Sequence, residues 1–101
     1  MIEHLVLFKF NKSITLDKEL RLLEKMQNFQ KLIPGIAYLT AGRNITNETE
    51  RQQGYTLALR ITFKDQAALE TYGSHPVHQE FVSSLDGVID NIIVADYPIH
   101  G

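Results

Sequence analysis

Nine residues near the start of the chain, "IEHLVLFKF" at 2–10, limit the fold more than any other stretch. At the two-residue period of a strand, Ile2, His4, Val6, Phe8 and Phe10 share one face, and Leu5 and Leu7 lie on the other. A strand with apolar side chains on both faces needs cover on both sides. One layer of helices covers only one of them, so a second surface must supply the rest. The apolar run passes too soon into charge for a membrane span, and no basic leader precedes it. Neither a signal peptide nor a transmembrane segment is expected, and a cytoplasmic location is the default.

The remaining segments alternate in type. Residues 16–33 carry Leu16, Leu20, Leu22, Leu23, Met26, Phe29 and Ile33 at helical spacing, with Thr15 as N-cap and Asp17 and Glu19 in the first turn. "IPG" at 33–35 stops this helix, because a residue before proline is pushed out of the α region. Residues 36–45 read as a second strand, bent or bulged at Gly42, and 46–54 as polar loop. "YTLALRITF" at 55–63 is a third strand with Tyr55, Leu57, Leu59, Ile61 and Phe63 on one face. Asp65 caps a short helix that Gly73 is expected to end in the left-handed conformation. A second short helix over 76–85 and a fourth strand over 87–99 complete the chain.

Strand, helix, two strands, helix, strand is the order of an α+β, ferredoxin-like βαββαβ fold with a four-stranded antiparallel sheet. Its helices lie on one sheet face, so the apolar second face predicts a homodimer joined through the sheets. The 101 residues suit a single domain, 1–101, of a size that often gains stability by pairing. Ten basic against twelve acidic side chains leave no basic footprint for nucleic acid. The absence of cysteine excludes disulfides, thiolate metal sites and cysteine nucleophiles. "NIT" at 44–46 and "NET" at 47–49 match the glycosylation pattern but carry no weight without an export signal.

Chemistry concentrates in "TYGSHPVHQEF" at 71–81. Pro76 fits the first helical position, which makes His75 an extended N-cap and places His78 one turn in. Phe81, Val82 and Leu85 share the face of His78, so it should point inward. Desolvation and the positive helix end then both disfavour its imidazolium, leaving a neutral ring that accepts a proton. Tyr72, just upstream, offers a phenol to a carbonyl or enolate oxygen. Such a pair suits enolisation, aldol-type ring closure or lactone chemistry without a cofactor. Each residue also admits a structural role: His75 as a helix cap, His78 bonded to a backbone carbonyl, Tyr72 as a core aromatic, His4 as a satisfied core histidine. A metal site from His4, His75 and His78 has no diagnostic spacing. Arg43 and Arg60 suit either an anionic ligand or salt bridges at an interface.

"HLVLFKF" at 4–10, "GYT" at 54–56, "HPVHQEF" at 75–81 and "DYP" at 96–98, in that order across nearly the whole chain, resemble the stress-responsive A/B barrel (Dabb) family. The resemblance implies a dimeric α/β barrel in which two four-stranded sheets enclose a shared interior. In a plant polyketide cyclase of that family, a tyrosine and the second histidine of the HPxH motif are assigned to aldol cyclisation. They match Tyr72 and His78. His75 matches the first histidine and His4 an N-terminal one, and with Phe81 these form the expected ligand-binding set. Leu57 stands where that cyclase has another histidine, Thr40 and Ala41 where it has aromatics, and Met26 replaces an aromatic, so the pocket differs in shape. Some members hold magnesium on backbone carbonyls near the end of the first helix, which implies Gln30, Ile33 and Ile36 here. Three readings follow: a homodimer with an apolar pocket for a small hydrophobic or aromatic ligand and cofactor-free cyclase- or isomerase-like chemistry; a non-catalytic stress-protective oligomer; or a cofactor-independent monooxygenase of the same barrel. A cavity of roughly 300 Å³ or more would favour an enzyme.

Overall fold

The computed structural model describes residues 1–100. In chain order its elements are β1 (Ile2–Phe10), α1 (Leu16–Gln27), α2 (Phe29–Leu32), β2 (Ile36–Arg43), α3 (Thr49–Gln52), β3 (Tyr55–Phe63), α4 (Gln66–Ser74), α5 (Pro76–Ser84) and β4 (Ile89–Pro98). The strands form one antiparallel sheet in the order β2-β3-β1-β4, the ferredoxin-like α+β arrangement the sequence predicts. β1 is central, with His4 paired to Ile61 on one side and Asp96 on the other.

Local chemistry sets most boundaries. The Thr15 hydroxyl accepts the Lys18 N–H and starts α1, which buries Leu22 and Met26 against the sheet. The single helix expected over 16–33 is broken at Asn28. Its side-chain amide donates to the Glu24 carbonyl, a local bond that competes with the helix ladder, and α2 resumes with Phe29 buried. Ile33 is extended before Pro34, as the proline rule requires. β2 ends at Arg43 because Asn44 turns its side chain onto the chain itself, giving N–H to the Tyr55 carbonyl and taking N–H from Thr46.

Three expectations need correction. The irregularity in β2 lies between Ile36 and Tyr38, while Gly42 pairs regularly with Ala58. The loop over 46–54 contains the short helix α3. Gly73 lies within α4 rather than in the left-handed region, and the helix stops because His75, ahead of Pro76, is extended. Among the described residues no helix is long and apolar enough to cross a membrane.

The two sheet faces differ. Val6, Phe8, Leu57, Leu59, Ile61 and Phe63 pack beneath the helices and are buried. The other face has no cover among the described residues and leaves Tyr38, Leu7, Ile93 and Tyr97 exposed. Glu3 is nevertheless 3% exposed there, its carboxylate taken by Arg60 at 2.8 Å and by the Thr62 hydroxyl at 2.7 Å. On the helix side Glu19 is likewise buried and paired with Arg43 at 2.8 Å and with Thr56. Both arginines singled out in the sequence are thus tied to carboxylates of their own chain.

Gly35 joins the helical layer to β2 with φ +90°, and an added Cβ would lie 2.6 Å from the Ala68 Cβ. Gly35→Ala therefore combines left-handed strain with overpacking and should cost about 2–4 kcal/mol. A thermal melt checks this: an unchanged midpoint would contradict the packing described.

Candidate active site

The junction between α4 and α5 builds the site. Asp65 accepts the Ala68 N–H and fixes the start of α4, which carries Tyr72 into its last turn. His75 then caps α5 through its own ring: Nδ1 accepts the Val77 N–H at 3.1 Å, with Pro76 at the first helical position. The resulting reversal brings Tyr72 and His78 together, ring centroids 4.3 Å apart. Tyr72 is buried among Phe63, Phe29 and His4, with centroids at 5.0, 5.9 and 5.6 Å.

Hydrogen bonding decides the state of His78. Its Nδ1 lies 3.2 Å from the Gly73 carbonyl, which can only accept, so Nδ1 carries the proton and Nε2 keeps its lone pair. Desolvation lowers the ring's pKa below the ordinary value; the Gly73 bond opposes this and the charge of His4 adds to it. The cause anticipated from the sequence, desolvation, leads. Burial also pushes the Tyr72 phenol well above its usual range, so this hydroxyl remains a donor. A neutral base and a protonated phenol therefore stand side by side.

A cavity of about 240 Å³ opens between the sheet and α4–α5, lined by His4, Tyr72, His78 and Phe81 with Phe8 and Leu59. Val82, Ile92 and Val94 form its exposed apolar rim. The volume falls short of the roughly 300 Å³ set above as favouring an enzyme, so that expectation is not met, and any guest is smaller than a drug-sized ligand. A slightly larger hollow, about 280 Å³, lies on the uncovered sheet face around Leu5, Leu7, Gly42 and Ala58. It has no histidine or phenol, so the candidate site is the smaller cavity.

Of the residues expected from the sequence, four gather at this cavity: His4, Tyr72, His78 and Phe81. His75 does not line it, since its ring is committed to the helix start. Gln30, Ile33 and Ile36 lie at the α2–β2 turn, where the Gln30 amide donates to the Ala37 carbonyl. Among the described residues no three His, Cys, Asp or Glu side chains come together around a metal. Nothing in the side chains of that turn favours a cation, and the magnesium expectation stays without support. One residue beside the site escapes the sequence reading: Asp96, whose carboxylate accepts from His4 Nδ1 at 2.5 Å. The two are cross-strand partners, 92 positions apart, and the "DYP" stretch holding Asp96 was the one signal.

The chain matches the family model of the Stress responsive A/B Barrel Domain over residues 2–99. It is similar to olivetolic acid cyclase of Cannabis sativa, 24% identical over 96 residues covering 95% of this chain and 94% of that protein. A dimeric ferredoxin-like protein from Jannaschia sp. superposes with TM-score 0.81 at 25% identity, covering 97% of this chain and 98% of that one. Hydroxynitrile lyase from Passiflora edulis superposes with TM-score 0.85 at 21% identity, covering 98% and 93%, and shares the fold.

Nitrogen-detected NMR of the histidine rings tests this geometry. At pH 7.5 His78 should show a protonated Nδ1 and a bare Nε2, and it should titrate below 6.5. A proton on Nε2 would remove the base from the site, and a titration above the ordinary histidine value would contradict the desolvation.

Proposed function

The chain belongs to the stress responsive A/B barrel domain family, and we propose that it is a homodimer, joined through its open sheet faces, whose helix-side cavity performs cofactor-free acid/base chemistry on a small hydrophobic or aromatic molecule. The observation that carries this reading is the His78 ring, pinned at Nδ1 by the Gly73 carbonyl and set 4.3 Å from Tyr72 beside an open cavity. A relative named a cyclase and a fold neighbour named a lyase are in keeping with it. The exposed apolar side chains of the second sheet face, and dimeric neighbours, support the pairing.

In this mechanism the ligand's carbonyl oxygen approaches the Tyr72 hydroxyl and its acidic C–H faces His78 Nε2. The C–H bond breaks, its proton passes to Nε2, and the electron pair flows into the carbonyl to give an enolate. Tyr72 donates to the developing oxyanion. His78 then returns the proton to carbon or oxygen, giving isomerisation, or the enolate attacks a second carbonyl and His78 protonates the new alkoxide, giving ring closure. No electrons leave the system and no metal enters any step. Asp96 accepts from His4 Nδ1 and so fixes the His4 ring orientation beside Tyr72.

Exchange of acetophenone α-protons into D2O, followed by proton NMR, tests the base directly. The protein should accelerate exchange, with the rate falling as pH drops through the lowered His78 pKa and the base becomes protonated. His78→Ala should lose about 10²–10⁴-fold and Tyr72→Phe about 10²-fold. Full exchange rates in both folded variants would sink the acid/base reading.

A further inference from the structure

Building on the cavity reading above, we propose that this cavity selects electrically neutral molecules of about one ring and turns away carboxylates, and that Asp96 sets this selectivity. The polar side chains in the lining are His4, Tyr72 and His78; the rest are aliphatic or phenyl groups. Among the described residues no lysine or arginine lines it. An anion entering it would therefore lose its water shell without gaining a fixed cation.

Three local sources of positive potential are already engaged. The Nδ1–H of His78 is given to the Gly73 carbonyl, and its Nε2 presents a lone pair to the guest. At the start of α5, the Val77 N–H is held by the His75 ring. Any positive charge on His4 is matched at 2.5 Å by the Asp96 carboxylate on the neighbouring strand. What the cavity offers a guest is one phenol donor and one imidazole acceptor. That pair complements a carbonyl, hydroxyl or carboxamide and repels an acceptor-only carboxylate at Nε2.

Size narrows the class further. A dry cavity of about 150 Å³ holds benzene. At about 240 Å³, this one has room for a substituted ring, with Phe8 and Phe81 as apolar walls.

Benzamide and benzoate have nearly the same shape and differ in charge, which makes them suitable probes. Isothermal titration of the whole protein at pH 7.5 should show benzamide binding at least about 50-fold more tightly than benzoate, the penalty expected for an unpaired charge. Asp96→Asn keeps an acceptor for His4 but removes the opposing charge, and should narrow the gap to under about 10-fold by strengthening benzoate alone. Benzoate binding as well as or better than benzamide in the unaltered protein overturns the selectivity while leaving the cavity intact. An unchanged gap in a folded Asp96→Asn variant overturns the role of Asp96. If neither probe binds, the cavity reading itself fails, and the selectivity with it.

Discussion

Strand β1 sets Val6 and Phe8 against helices and leaves Leu5 and Leu7 facing outward from a sheet with nothing among the described residues above them. Burying apolar side chains is the main favourable term in folding a domain this small, and half of this sheet's chance to do so lies outside the chain. Glu3 sharpens the point. A carboxylate 3% exposed on the bare face, held by Arg60 and Thr62, resembles the interior of an interface more than a solvent surface. Arg60 remains 58% exposed and has donors to spare for a facing surface. Such a pair adds little net stability and is better understood as fixing how two faces register.

The covered face holds the candidate site because the helices there do not close completely. α4 and α5 lie over β1 and β3, while the side chains of Ile92 and Val94 on edge strand β4 stay open at the cavity rim. His75 and Pro76 shape the turn between the helices, and that turn directs Tyr72 and His78 into the gap. Capping and the proposed base are thus divided between the two histidines of one short motif. His75 uses its ring nitrogen to hold the backbone, and His78 keeps one free.

Much of this was legible in the sequence. The two-faced pattern of 2–10, the strand at 55–63 and the Pro76 helix start each rest on local chemistry that no distant contact overrides. The inward aim of His78 followed from Phe81 and Leu85 on its helical face. What stayed hidden depends on the third dimension. Asp96 meets His4 only through the register of β1 against β4, which pairing sets and composition does not. Asn28 breaks the first helix through a side-chain bond that apolar periodicity cannot register. Gly73 looked like a helix terminator because glycine tolerates the left-handed region, yet Pro76 had already decided where that helix ends. The roles of Arg43 and Arg60 turned on buried glutamates that a linear reading does not connect.

The central claim is that one chain leaves its sheet half covered and a second copy covers the rest. Sedimentation equilibrium across the low micromolar range weighs it without any ligand, substrate or variant. The account predicts a particle of twice the 11.5 kDa chain mass. A single-chain mass that holds steady at every concentration would contradict it.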